Sequence, residues 1–232
     1  MGGVETMNKE AYLTKIVAAS LLGDGSVHIP NDGSINAAFS MAQVVDHRDH
    51  VDFIKNLLED ITRVKTWEIQ PKLGNSRRQY HMQTMRHPFY TKFRHRMYGT
   101  GIKAIDPHYL TFMDYEMLAI WYMQDGSLST TPHIRETGNY NRKELFLYSN
   151  SFSYGDNMLL KDCLKEKFAI ESNIRHSKGK TGNITYFLSI YKKCIDTFLE
   201  GVTPFIQPSF QYKLQVRTVD SLKKDDDIVQ SV

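Results

Sequence analysis

A pattern that occurs twice limits what this chain can become. The segment VAASLLGDGSV, Val17 to Val27, returns as LAIWYMQDGSL, Leu118 to Leu128. Both are apolar stretches that end in Asp-Gly-Ser, and Asp24 and Asp125 stand 101 positions apart. Repetition on this scale points to two copies of one structural unit stacked on a shared apolar face. A chain of 232 residues accommodates two units of about 100 residues each, provided that they bury such a face together.

The segments downstream of the two copies repeat as well. After Gly25 the alternation predicts a hairpin, Ser26 to Ile29 and Ile35 to Val44, turning at Asn31-Asp32-Gly33. After Gly126 it predicts another, Ser127 to Thr131 and Lys143 to Asn150. Each hairpin runs into an N-cap spacing, Asp46 with Asp49 and Ser153 with Asp156, followed by helical apolar periodicity. A second hairpin comes next: Val64 to Lys72 with Arg77 to Met85, and Ile170 to Lys178 with Asn183 to Tyr191. A closing helix starts near Pro88 in one copy and near Lys192 in the other. The fold class is therefore α+β, with two pseudo-symmetric αββαββα subdomains over 8–98 and 112–214. A linker spans 99–111, containing Gly99, Gly101 and Pro107, and a polar tail spans 215–232. Thr111 and Asp114 are the expected caps of the second copy's first helix.

Charge is uneven along the chain. The net charge is +3, but Arg63 to Lys103 holds ten Lys or Arg and one acid, Glu68, and Asn173 to Lys193 holds five Lys or Arg and no acid. Local excess of this kind suits a polyanion-binding surface, because neutralised phosphates release counterions. The two cysteines, Cys163 and Cys194, lack CxxC spacing and fall in segments that read as helix. A reducing intracellular setting without structural zinc is the expectation. No apolar run approaches membrane-spanning length. The opening MGGVETMNKE carries neither a secretory nor an import pattern. An organelle-encoded or a bacterial or phage cytoplasmic origin fits both.

A helix that ends at Asp-Gly puts a carboxylate beside its own unpaired carbonyls, where the helix dipole is already negative. A lone Asp-Gly of this kind reads as a turn. Two copies, each followed by the same hairpin, read as a pair. If the helices pack side by side, helped by the small Ala18, Ala19 and Ser20, the carboxylates converge and cannot both ionise cheaply. A hard divalent cation, with Mg2+ the first choice, relieves that conflict and leaves positions for water and phosphate.

The hairpins suggest a duplex partner. Alternation places Thr66, Glu68, Gln70 and Lys72 on one face, with Trp67 and Ile69 on the other. Arg77, Gln79, His81 and Gln83 form the facing polar row, beside Arg78. In the second copy Glu171, Asn173, Arg175 and Ser177 face Thr185, Phe187 and Ser189, with Lys178 and Lys180 near the turn. Arg, Gln and Asn read base edges, and a two-stranded ribbon fits the major groove. Nine-residue strands reach about 30 Å, so two sheets in tandem would follow on the order of 18 base pairs. Other motifs are set aside. Gly99 to Lys103 lacks phosphate-loop spacing and a preceding buried strand. His47 and His50 lie one turn apart without a cysteine partner and read as an exposed helix face.

On these residues the chain resembles the LAGLIDADG homing endonucleases, in their single-chain, pseudo-symmetric, intron-encoded form, from about Tyr12 to Leu214. The resemblance implies a saddle of antiparallel sheets on double-stranded DNA, metal-dependent cleavage of both strands at a long, rare site, and a monomer. It implies two or more metal ions on Asp24 and Asp125, assisted by the carbonyls of Gly23 and Gln124. It also implies active-site lysines at Lys103 and Lys213, in the stretches Lys103-Ala104-Ile105 and Gln211-Tyr212-Lys213-Leu214. Departures from the family pattern are the missing earlier acid in SLLGDG, Gln124 before the second aspartate, and the bulky Ile120 and Trp121. A non-cutting RNA maturase or DNA-binding regulator of the same fold, with intron RNA as its partner, is the alternative.

Overall fold

Helices at the two motifs form because their ends are capped and their bodies are apolar all round. The computed structural model describes residues 8–29, 33–70, 77–133, 140–179 and 182–215, without the side chains of 131–133, 140 and 141. In it, Asn8 accepts the N–H of Ala11 to start α1 (Lys9–Leu22), and Asp114 accepts that of Met117 to start α5 (Tyr115–Asp125). From Ile16 to Leu22 and from Met117 to Met123 every side chain is buried. A helix buried on all faces belongs at the centre of a fold, and α1 packs against α5 there.

The remaining elements fall in the same order around each central helix. After α1 come β1 (Ser26–His28), β2 (Ala38–Val44), α2 (Arg48–Leu58), β3 (Val64–Ile69), β4 (Gln79–Thr84) and α3 (Pro88–Tyr98). A one-turn helix α4 (Pro107–Leu110), capped by Asp106 and led by a proline, sits inside the expected linker. After α5 come β5 (Gly126–His133), β6 (Tyr140–Leu147), α6 (Tyr154–Phe168), β7 (Ser172–Lys178), β8 (Ile184–Ile190) and α7 (Ile195–Val202). The sheets have matching antiparallel orders, β1-β2-β4-β3 and β5-β6-β8-β7. One continuous core joins both halves, with Trp121 fully buried in it. The bulk at Ile120 and Trp121 is thus absorbed by the core. Among the described residues no helix is long and apolar enough to cross a membrane.

Several local expectations shift. Ser153 and Asp156 do form a reciprocal capping box on α6. Asp46 and Asp49 do not cap α2, because a 3-10 turn over Val45–His47 precedes it and His47 holds the cap position without a side-chain bond. Thr111 ends α4 instead of starting α5. Cys194 lies in a 3-10 turn, and both cysteines are buried and free. The turn placed at Asn31-Asp32 and the connection between Lys72 and Arg77 lie outside the described residues.

The far end of the helix pair is locked across the halves. Lys15, 4% exposed, donates to Asp114 at 2.8 Å and to Glu116 at 2.5 Å, while the Tyr12 hydroxyl donates to Glu116 at 2.9 Å. Burial and the Glu116 carboxylate push the Tyr12 hydroxyl up to about 12.

Candidate metal and nucleic-acid site

At the near end α1 stops at Leu22, two residues before Asp24, and α5 stops at Asp125, and close contacts demand the glycines around them. A side chain at Gly25 would put its Cβ 2.6 Å from the Ser20 carbonyl oxygen, and one at Gly126 would sit 1.9 Å from the Tyr122 ring. Only glycine permits that approach. The two helix ends touch each other as well. A Cβ on Gly23 would lie 2.5 Å from the Gln124 side chain, whose Oε1 accepts the backbone N–H of Asp24 at 3.0 Å.

The Asp125 carboxyl feels the charge of Asp24. Burial first, and then the Asp24 charge, raise Asp125 to about 7, while Lys213 and Lys103 pull it back down. Asp24 is exposed by area, yet it is crowded closely enough that burial raises its carboxyl too. A hydrogen bond from the Gln43 amide opposes that rise. Counting from the partners of the first strands, Ser40 and Phe146, Gln43 corresponds to Ser149 in the second half. Ser149 instead donates to Asn157 at 2.5 Å. The amide that steadies Asp24 has a serine as its counterpart, and the two acids are unequal.

Each lysine reaches the carbonyl that follows an aspartate. Lys103 Nζ donates to the Gly25 carbonyl at 3.1 Å, and Lys213 Nζ donates to the Gly126 carbonyl at 2.9 Å and the Met123 carbonyl at 2.6 Å. Both ammonium groups lie over an aromatic ring, Phe152 at 5.2 Å and Phe210 at 5.3 Å. Burial lowers Lys103 to about 8 against the pull of Asp125 and Asp24. The segments carrying the lysines are pinned alike: Ile105 N–H donates to Asp156 and Ser209 N–H to Asp49, at 2.8 and 3.0 Å. Neither lysine is an ordinary exposed one.

His47 and His50 do not form an exposed face. His50 is fully buried, and burial lowers its imidazole to about 4. Its Nε2 meets Gln124 Nε2 at 3.0 Å. Because the amide nitrogen can only donate, the imidazole nitrogen accepts and the ring is neutral. His47 packs against Phe210 in a tilted pair, ring centroids 3.9 Å apart. Helix α2 turns this side inward because the 3-10 segment Pro208–Leu214 covers it. Sequence reading missed His50, Gln43 and the side chain of Gln124, whose partners lie in other elements.

The duplex-reading rows are partly rearranged. Register puts Trp67 opposite His81, Lys65 opposite Gln83 and Ile69 opposite Gln79. The row shared with Gln79, His81 and Gln83 is thus Lys65, Trp67 and Ile69, and not Thr66 and Glu68. Thr66 and Glu68 pair with Met82 and Tyr80, which are buried toward the helices. Trp67 stacks on His81 at 5.4 Å. Arg78 meets Glu68 at 3.5 Å, and Arg77 approaches Asp46 at 4.0 Å. Gln70 is exposed just past β3. In the second half the expected row holds: Asn173, Arg175 and Ser177 lie opposite Ser189, Phe187 and Thr185, and Lys178 ends β7, exposed. Lys72 and Lys180 lie outside the described residues.

Beside Asp24 this face opens into a concavity of about 300 Å³ lined by Ser26, Ser40, Ala42, Trp67, His81 and Gln83. A larger hollow of about 490 Å³ lies among α1, α3 and α4. Its charges are spent on one another, Lys92 on Glu10 at 3.0 Å and Arg96 on Asp106 at 2.8 Å, so size does not locate the chemistry. Among the described residues no cluster of three or more His, Cys, Asp or Glu gathers at one point. A metal at the helix ends would rest on two carboxylates supplemented by other oxygens. Two acids raised by burial, Asp125 also by the charge of Asp24, fit a hard divalent ion, which removes the cost of ionising both.

The model of a family described as the LAGLIDADG DNA endonuclease family matches residues 14–198. Among curated proteins the chain is 28% identical over 211 residues to Protein RecA of Mycolicibacterium flavescens, covering 88% of this chain and 46% of that protein. It is 24% identical over 208 residues to cytochrome b mRNA maturase bI2 of Debaryomyces hansenii, covering 87% of this chain and 73% of that protein. The chain spans about half the length of the RecA relative. Among solved structures, the homing endonuclease I-WcaI bound to its DNA recognition sequence superposes with a TM-score of 0.71 at 20% identity, over 91% of this chain and 88% of that one. I-DmoI in complex with DNA and Mn gives 0.52 at 11%, over 84% and 97%. These likenesses establish the α+β fold with its two four-stranded sheets.

Proposed function

The chain belongs to the LAGLIDADG DNA endonuclease family, and from that premise we propose that it is a site-specific, divalent-metal-dependent endonuclease that breaks both strands of duplex DNA at a long, rare site. The observation that carries this reading is the pairing of Asp24 and Asp125 at touching helix ends, each followed by a carbonyl that takes a lysine. Asp24 and Asp125, with the carbonyls of Gly23 and Gln124, would hold divalent ions, Mg2+ first among them, whose charge polarises phosphate and acidifies water. Lys103 and Lys213 stand close enough to both acids to shift Asp125. Their role is to orient the attacking water or to balance charge that grows on phosphate oxygens. The pinned segments hold both ammonium groups in place before substrate arrives.

The helix-free strand faces would follow the duplex, with Gln79, His81 and Gln83 in one half and Asn173 and Arg175 in the other meeting base edges. Exposed Arg77, Arg78 and Lys178 would meet phosphates. The protein would act as a monomer, because both halves of the site come from one chain.

A second reading, an RNA maturase, is supported by the match to cytochrome b mRNA maturase bI2 along most of that relative's length. One experiment separates the two. The protein is offered randomised duplex DNA with Mg2+ and, in parallel, self-splicing intron RNA. Double-strand breaks that vanish with EDTA support the nuclease. Tight RNA binding with no duplex cut supports the maturase.

A further inference from the structure

Corresponding positions beside the two aspartates differ in chemistry: Ser40 and His81 of the first half are Phe146 and Phe187 in the second. Register aligns Ser40 with Phe146, His81 with Phe187 and Gln83 with Ser189, because each sits at the same rung of its sheet. Trp67 pairs with His81 and Arg175 with Phe187, so Trp67 aligns with Arg175. Continuing two residues along, Ala42 aligns with Tyr148. In the first half these positions, with Met41 and Met82, surround the mixed polar and apolar concavity at Asp24. In the second half three rings fill the equivalent space. Phe146 meets Phe187 edge-on at 5.7 Å, and Tyr148 lies 5.5 Å from Phe187 and 6.1 Å from Phe146.

This wall lies on the helix-free side of its sheet. Phe146 and Phe187 are half-buried and Tyr148 is 39% exposed. The Tyr148 hydroxyl accepts from the Ser127 hydroxyl at 3.4 Å, which holds the ring two residues from Asp125. Exposed Arg175 flanks Phe187 directly across the strands, and Asn173, fixed by the Tyr191 hydroxyl at 2.9 Å, lies two residues before it on the same strand. An apolar patch edged by one guanidinium, Arg175, and one amide, Asn173, suits a partner that is apolar in the middle with hydrogen-bond acceptors beside it. A thymine-bearing duplex has that profile: the 5-methyl group projects from the base edge, with base acceptors beside it in the major groove. The patch also continues the strand surface already assigned to DNA.

We propose that Phe146, Tyr148 and Phe187 read thymine 5-methyl groups in one half-site, whereas Ser40 and His81, at the positions matching Phe146 and Phe187, offer hydrogen bonds to base edges in the other. This rests on the endonuclease reading and adds an asymmetric code to it. The protein itself would impose a thymine requirement on one side of the cut only.

The test starts from duplexes cleaved in a randomised pool with Mg2+. In the best one, each thymine is replaced singly by deoxyuridine, which removes only the methyl, and binding is measured in Ca2+. The expected result is a loss of about fourfold at one or more thymines on one side of the cut, the ratio for withdrawing one buried methyl. Loss on the other side stays under twofold. In Phe187→His and Phe146→Ser, which copy the first half, thymine and deoxyuridine bind alike. Phe187→Leu keeps an apolar surface and retains part of the preference, so misfolding is told apart from lost recognition. Equal binding of thymine and deoxyuridine throughout, selected sites without thymine near the cut, or an unchanged ratio in the variants overturns the proposal. A protein that binds no duplex in the pool overturns the endonuclease reading itself.

Discussion

Lys213 donates through Nζ to the carbonyl oxygen of Gly126 at 2.9 Å, immediately after Asp125. The same group bonds the Met123 carbonyl at 2.6 Å, and the Tyr122 hydroxyl returns a bond to the Lys213 carbonyl at 2.6 Å. A long side chain with this many anchors has its ordering entropy met during folding. Lys213→Met and Lys103→Met should each lower the cleavage rate on the order of 10²-fold, as removal of a preorganised charge does. Binding in Ca2+ should fall only a few-fold. Single-turnover rates beside equilibrium binding decide it; equal losses in both would assign the lysines to binding.

Asp125→Asn should end cleavage and, without metal, stabilise the protein. The folded carboxyl titrates at about 7, above the ordinary ~3.9. Between those values the folded state holds the extra proton, so stability falls as pH rises and levels off above 7. The amide variant escapes that loss. Its advantage should be on the order of 2 kcal/mol at pH 8, vanish below about pH 4, and be cancelled by millimolar Mn2+. Thermal melts with and without EDTA measure it. A wild type that is the more stable at pH 8 in EDTA would show that the acids do not strain the site.

Gln124→Leu tests the cross-half link from His50 through the amide to the Asp24 N–H. It strands a buried imidazole and a backbone donor, at a cost of about 1–3 kcal/mol. Because Gly23 is the counterpart of Gln124 and has no side chain, the damage should be one-sided. A supercoiled plasmid carrying the site should accumulate nicked circle before linear product. Simultaneous slowing of both strands would argue against a one-sided role.

Lys15→Met should destabilise the protein by about 3 kcal/mol, since it leaves Asp114 and Glu116 facing each other without their buried cation. The cluster lies at the opposite end of the helix pair from the aspartates. Cleavage per folded molecule should therefore change less than twofold. Urea melts and active-site titration test the two halves of this expectation.

Binding should also weaken steeply with salt. Neutralising six or more phosphates costs about 10³-fold or more in affinity between 50 and 200 mM salt. A flat dependence would remove phosphate tracking from the account.

The repeat, the caps and the apolar periods were local, and so they were legible. VAASLLGDGSV and LAIWYMQDGSL announced two buried helices, Ser153-x-x-Asp156 announced α6, and the Asp-Gly ends singled out the acids. These signals depend on neighbours within one turn or one strand, which a sequence displays. Strand pairing was not legible at β3 and β4, because one residue of register moves a whole row to the other face. That placed Trp67, and not Glu68, beside His81. Nor could His50 be read as buried, since what covers it, the segment Pro208–Leu214, lies about 160 residues further on. Local pattern alone marks two acids at the close of two equivalent helical segments. That the acids are unequal follows from packing between distant segments: Gln43 and Gln124 bond Asp24 from two other elements, with His50 behind Gln124, whereas the counterpart of Gln43, Ser149, bonds Asn157.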